Sequence, residues 1–285
     1  MKNISCIYDT EIEELAIGKF DGVHVAHQML LENLSARGGV LMVLVEGEEF
    51  LSDMALREEL IARAIFPLGL EEIRGFSGEE FLAFLSHAFP KLKKLVVGYD
   101  FCFGKARSCG VEELKASFSG EVVVVGEVCC GGLSVHTQTI KLALKEGRIG
   151  EANLLLGRFY QIRGRVVAGQ GLGKRELYPT INLENQGFLL PKDGVYATQF
   201  GKERCESVSF LGVRSTDGKF SIEVHVLEGD FEGRILALEQ GELVDLFFIE
   251  RLRDNARFSD LALLKEQIAR DRAQARSILQ NRTGF

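Results

Sequence analysis

LAIGKFDGVHVAHQMLLENL, residues 15–34, decides the fold of the first half of this chain. LAIG is a short apolar run closed by a glycine, GKFDG is turn-forming, and the remainder reads as a helix. VLMVLV (40–45), KLVVG (94–98) and EVVVVGEV (121–128) are further continuous β-branched runs. Such runs suit parallel strands buried on both faces and covered by helices. The first half is therefore expected to be a doubly wound α/β domain.

Around Leu154–Arg163 the grammar changes. QIRGRVV, GVYATQF, SIEVHVL and ELVDLFFI alternate with period two, and GQGLG, DG and EGD supply turns between them. An antiparallel barrel or sandwich is the natural architecture. SDLALLKEQIARDRAQARSIL (259–279) follows, with Ser259 as a helix cap and Leu261, Leu264, Ile268, Ala275 and Leu279 at helical spacing. A length of 285 residues suggests two domains. They are expected at 1–156 and 157–285, the second closed by a C-terminal helix.

Composition narrows the function. The chain is 46% hydrophobic and 26% charged, as in ordinary globular proteins. A net charge of −7 disfavours nucleic acid as a partner, so nucleotide handling must rest on a local site. No apolar run approaches the ~20 residues of a membrane span, and MKNISCIYDTEIEEL is acidic where a signal peptide would be basic and apolar. A cytoplasmic protein without membrane attachment is expected. Cysteines 6, 102, 109, 129, 130 and 205 form no CxxC pair and read as reduced thiols.

In the first half, His24 and His27 stand at the turn-to-helix junction, where backbone N–H groups and the helix dipole favour a triphosphate. Gly18, Phe20, Asp21, Gly22, Val23, His24, His27 and Gln28 match GxFDGVHxGHQ, so the run resembles the flavin-adenylylating form of the nucleotidyltransferase superfamily. VVGYDFCFGKARSCG (96–110) is similar to a second segment of that family, VGxDFxFGxxRxG, at Asp100, Phe101, Phe103, Gly104 and Arg107. The resemblance implies a Rossmann-like domain that adenylylates FMN. In it His24 and His27 stabilise charge on the α-phosphate, Gly18, Phe20, Asp21 and Gly22 bind nucleotide, and Asp100, Phe101, Phe103 and Arg107 bind flavin. Ala26 replaces a family glycine, and His136–Lys141 (HTQTIK) stand where the family has SSTxIR. Lys141 there keeps a positive charge for the nucleotide without the planar fork of arginine.

In the second half, a glycine-rich segment from Gly169 to Gly173 followed by Lys174 can bring amides and charge to phosphate oxygens. Thr180 and Asn182 of PTIN lie on one side of an extended segment, although these residues alone equally allow a turn after Pro179. In SIEVHVL, Glu223 and His225 point opposite to Ile222, Val224 and Val226. LLGRFYQIRGRVVAGQGLGKRELYPTINL resembles the opening of riboflavin kinase domains, and KDGVYAT (192–198) and ERLRDNARFSDLALLKEQIARD (250–271) resemble later parts. By that resemblance Gly169, Gly173 and Lys174 bind nucleotide, Thr180 and Asn182 hold Mg²⁺ on ATP, and Glu223 is the base acting on the ribityl hydroxyl.

The order of motifs is similar to that of the prokaryotic bifunctional riboflavin kinases and FAD synthetases. ATP, riboflavin and FMN are then the expected ligands, Mg²⁺ the cofactor, and transient self-association is compatible. Two alternatives remain at this point: a kinase alone whose N-terminal module only binds nucleotide or flavin, and a non-catalytic flavin-binding regulator.

Overall fold

The computed structural model describes residues 11–47, 49–168, 178–214, 218–227, 238–258 and 260–281. Contacts divide the chain into two compact units, Met1–Glu48 with Asp53–His136, and Glu49–Ser52 with Thr137–Phe285.

The first unit runs β1 (Glu14–Gly18), α1 (Val25–Glu32), β2 (Gly38–Leu44), α2 (Met54–Ile61), β3 (Ala64–Gly69), α3 (Leu70–Ile73), α4 (Gly78–Ala88), β4 (Lys94–Gly98), α5 (Val111–Ser117) and β5 (Glu121–Val125). A short hairpin, β6 (Cys129–Cys130) and β7 (Leu133–Ser134), follows. The five long strands are parallel in the order β3-β2-β1-β4-β5. Both faces are covered, which explains the unbroken apolar runs. Leu15, Ile17, Leu41, Leu95 and Val97 pack with Phe81, Phe84 and Leu85 of α4 and Leu114 of α5. The intervening Ala16, Val40, Met42 and Val96 pack with Leu30 and Leu31 of α1 and Ile61 of α2.

AIFPLG (64–69) is a strand that is not among the runs read from sequence, and it contains Pro67. The structure places it at the sheet edge, where a missing N–H costs no ladder hydrogen bond.

In the second unit, α6 (Thr137–Glu146) and α7 (Ile149–Leu156) precede the strands β8 (Tyr160–Val167), β9 (Ile181–Asn185), β10 (Gly194–Phe200), β11 (Cys205–Val213), β12 (Phe220–Val226) and β13 (Leu243–Arg253). Helix α8 (Leu261–Asn281) comes last. The strands form a closed antiparallel barrel in the cyclic order β10-β11-β12-β9-β8-β13. Residues of β8 alternate between buried and half-buried, with Tyr160, Ile162 and Val166 inside. Helices α6 and α7, read from sequence as the end of the first domain, group with the barrel. Asn153 of α7 is one physical cause. Its buried amide donates to the Phe248 carbonyl (3.0 Å) of β13 and accepts from the Tyr160 N–H (2.7 Å) of β8.

Helix α8 differs in detail from the expected apolar stripe. Ala275, Ile278 and Leu279 pack with Ala197 and Leu227, but Leu261 is exposed. The helix instead buries a charge: Asp271 accepts from Arg253 Nε (2.9 Å) and Nη2 (2.7 Å) and from Gln267 Nε2 (2.8 Å). Ser259, expected as the cap, lies outside the described residues; Asp260 Oδ1 accepts from the Leu263 N–H (2.9 Å). Among the described residues, no helix is long and apolar enough to cross a membrane. The five described cysteines are free thiols.

The Asp271–Arg253 pair fixes α8 on β13. Asp271→Ala leaves a guanidinium partly buried without its carboxylate, and equilibrium urea denaturation should register a loss of roughly 3 kcal/mol. A loss below about 1 kcal/mol, the scale of a surface pair, would mean that the pair does not anchor the helix.

Candidate functional site

In the first unit the sheet order reverses between β1 and β4, the position where open α/β sheets form a crevice beyond the carboxyl ends of their strands. The β1–β4 ladder pairs Glu14↔Lys94, Leu15↔Leu95 and Ala16↔Val96; beyond it β1 and β4 no longer pair with each other and run on to Gly18 and Gly98, bonded to β2 and β5. Both histidine-turn and DFCFG segments therefore leave the sheet at this crevice.

The turn after β1 is strained. Phe20, Gly22 and Val23 have φ of 51°, 81° and 39°, and a β-branched valine is seldom found in the left-handed region. The surroundings hold it there. Phe20 and Val23 are buried in the core, the Val23 N–H donates to the Phe20 carbonyl (3.3 Å), and Gln28 Nε2 donates to the Val23 carbonyl (3.3 Å). Arg57 of α2 clamps the turn from below, donating through Nη2 to Asp21 Oδ1 (3.1 Å) and through Nη1 to the Lys19 carbonyl (3.3 Å). Burial pulls the Arg57 pKa below its ordinary value, and the Asp21 carboxylate pulls it back up. Sequence reasoning missed Arg57, because nothing local to α2 marks it as the partner of a turn so far away in the chain.

The turn delivers His24 as the N-cap of α1, with Nδ1 accepting from the His27 N–H (3.3 Å). An accepting Nδ1 leaves any ring proton on Nε2. The two imidazoles stack at 3.6 Å between centroids with 13° between planes, and Phe20 lies 4.7 Å from the His27 ring. The spacing of three residues thus brings both rings to one side of the helix start, where the first-turn N–H groups point.

After β4, Asp100 is exposed and Phe101 is half-buried. Phe103 belongs to the core beside Phe81 (5.6 Å) and exchanges backbone hydrogen bonds with Cys109 (2.9 and 3.1 Å). That bridge closes a loop with Arg107 exposed on it. His136 receives the Tyr99 hydroxyl contact at Nε2 (3.0 Å). Lys141 lies on α6 of the second unit and donates to the Glu49 carbonyl (2.6 Å).

On the barrel, β9 and β12 pair Asn182 directly with Glu223. The flanking pairs Ile222↔Leu183 and Val224↔Ile181 fill the barrel interior, so Asn182 and Glu223 share the outer face of the ladder, where Asn182 is buried and Glu223 half-buried. Phe210 of β11 is opposite Glu223 on its other side. Glu223 Oε1 accepts from the Ser221 hydroxyl (3.1 Å) and lies 3.9 Å from Arg214 Nη1. Ser221 and Arg214 were not singled out from sequence; Arg214 reaches Glu223 across the β11–β12 hairpin, a neighbour that strand register alone reveals. Thr180 is exposed immediately before β9, two residues from Asn182. Neither side chain hydrogen-bonds another described residue, which leaves a hydroxyl and an amide oxygen, hard donors of the kind Mg²⁺ takes. Gly169, Gly173 and Lys174 lie outside the described residues. Among the described residues there is no cluster of three or more His, Cys, Asp or Glu side chains suited to a metal.

Residues 156–279, covering the barrel and most of α8, match the Flavokinase (riboflavin kinase) family model. The chain is 29% identical to the bifunctional riboflavin kinase/FMN adenylyltransferase of Escherichia coli K12, and 31% identical to that of Pseudomonas fluorescens. Each alignment covers 92% of this chain and 91% of the relative. A crystal structure described as a macrolide-efflux protein from Streptococcus pneumoniae superposes with a TM-score of 0.84 at 26% identity, over 99% of this chain and 98% of that one. A likeness that runs through the parallel sheet and the barrel alike, at 31% identity over nearly all of both chains, is that of one protein family: the chain belongs to the bifunctional riboflavin kinase/FMN adenylyltransferases.

Proposed function

We propose that the chain transfers the γ-phosphate of ATP to riboflavin on the barrel unit and adenylylates the resulting FMN to FAD, with release of pyrophosphate, on the α/β unit. The observation that carries the reading is the register Asn182↔Glu223, which sets an amide oxygen and a carboxylate side by side on one barrel face. A kinase needs that pair of functions together, one to hold the nucleotide's cation and one to take a proton from the acceptor hydroxyl.

Thr180 and Asn182 would hold a magnesium ion, which when bound neutralises charge on the nucleotide phosphates. Glu223 takes the proton of the terminal ribityl hydroxyl as that oxygen attacks the γ-phosphorus. Ser221 donates to Oε1 of the carboxylate and orients it, with the Arg214 guanidinium 3.9 Å away. Gly169, Gly173 and Lys174 are assigned to the nucleotide by family resemblance.

In the α/β unit, Gly18 and Gly22 let the backbone approach the nucleotide, while buried Phe20 and Asp21 hold the turn. His24 and His27 donate through Nε2 to the charge that develops on the α-phosphate as the FMN phosphate attacks it. Pyrophosphate departs, so no covalent enzyme intermediate is required. Asp100, Phe101 and Arg107 face the flavin side of the crevice, and Phe103 supports them from the core. These reactions use cytoplasmic ATP and free flavins, with no nucleic acid or membrane.

A second reading, riboflavin kinase alone with an N-terminal module that binds nucleotide or flavin, is favoured by HTQTIK. His136 is held by Tyr99 and Lys141 by a backbone carbonyl. Chromatography of the flavins formed separates the two. With riboflavin, ATP and Mg²⁺ the first reading gives FMN and then FAD; FMN that accumulates without FAD supports the second.

Glu223→Gln should lower FMN formation by about 10²–10⁴-fold while FAD formation from supplied FMN is retained. Unchanged FMN turnover removes Glu223 as the base. His27→Ala should lower FAD formation by about 10²–10³-fold and spare FMN formation; equal loss of both would show that the two units do not act independently.

A further inference from the structure

The metal-binding segment is secured by groups that the proposed chemistry does not use. The β9–β12 ladder ends at Val224↔Ile181, so the next residues in register, His225 and Thr180, stand opposite one another with no ladder bond. A side chain takes over at that point: His225 Nδ1 lies 2.9 Å from the Pro179 carbonyl oxygen. Because a carbonyl can only accept, Nδ1 carries the proton and donates. The same imidazole packs on the Tyr178 ring at 5.1 Å, and the Arg272 guanidinium of α8 covers that ring at 4.1 Å from its centroid.

These contacts bear on Thr180 through the backbone. The pyrrolidine ring fixes φ of Pro179 and restricts Tyr178 before it. The Pro179 carbonyl belongs to the peptide group whose other end is the Thr180 nitrogen, so a hydrogen bond to it fixes that peptide plane. Between them, proline and His225 set the direction in which the chain enters Thr180. The cation–π contact of Arg272 holds Tyr178 from the other side.

We infer that His225 is a positioning residue of the kinase site: its imidazole holds the Pro179–Thr180 peptide so that the Thr180 hydroxyl meets the same cation as Asn182, with Arg272 bracing the segment from the C-terminal helix. The inference rests on the proposed role of Thr180 and Asn182. It concerns residues of β12 and α8 to which the proposed chemistry gives no role.

The test is Mn²⁺ binding to the full chain in the presence of ADP, followed by electron paramagnetic resonance, alongside riboflavin phosphorylation, FMN adenylylation and thermal melting. His225→Leu should weaken Mn²⁺ binding about tenfold, the scale on which groups that orient metal ligands act. Its melting temperature should stay within about 4 °C of wild type and its adenylylation rate should not change. His225→Asn, whose amide N–H can take the place of Nδ1, should recover most of the affinity; Arg272→Met should show a smaller loss. Mn²⁺ affinity untouched by His225→Leu, or equal losses in the Leu and Asn variants, would overturn the inference while Thr180→Ala and Asn182→Ala still weaken binding. If those two variants leave Mn²⁺ binding unchanged, the metal assignment itself is wrong and the role of His225 falls with it.

Discussion

The pairing register of β9 with β12 is the constraint on which the barrel site depends. Side chains alternate across a strand, so a slip of one residue would turn Asn182 and Glu223 inward and send Leu183 and Ile222 to the surface. The apolar cost forbids this. Ile181, Leu183, Ile222 and Val224 are all buried, and each contributes on the order of 1.5–3 kcal/mol to the register that keeps it so. The polar pair on the outer face is thus held by packing on the inner face. Closure of the barrel completes the effect, because β9 is bonded on its other edge to β8 and cannot slide alone.

The α/β unit obtains its site by a different physical route. A parallel sheet puts the ends of its strands on one edge, and reversal of strand order between β1 and β4 leaves the two central connections free to diverge. The turn after β1 then adopts a backbone that costs roughly 1–3 kcal/mol for each non-glycine residue at positive φ. Burial of Phe20 and Val23 and the Arg57–Asp21 pair offset that cost. What the strain achieves is placement: His24 caps the helix, accepts from the His27 N–H and stacks on the His27 ring at the start of α1.

Much of this was legible from residue order. Strands buried on both faces write themselves as VLMVLV and KLVVG, and barrel strands as alternations such as QIRGRVV, because burial dictates the pattern directly. β3 is not among the runs read from sequence; its Pro67 is tolerated because the strand lies at the sheet edge. Leu261 was read as core from helical spacing, yet α8 turns its Asp271 face to the barrel, because Arg253 of β13 offers that carboxylate a partner. The motif residues Asn182 and Glu223 were identifiable separately; their adjacency was not, because register is a tertiary property. The supporting side chains Arg57, Arg214, Tyr178 and Arg272 were invisible for the same reason, each meeting its partner only through the fold.

The most direct test is a crystal structure of the full chain with Mn²⁺, ADP and riboflavin, read by anomalous scattering. The proposed kinase site predicts a manganese peak within bonding distance of Thr180 Oγ1 and Asn182 Oδ1 on the outer face of the barrel, with the Glu223 carboxylate hydrogen-bonded to the terminal ribityl hydroxyl. A manganese bound elsewhere, with Thr180 and Asn182 uncoordinated and Glu223 far from the flavin, would contradict it.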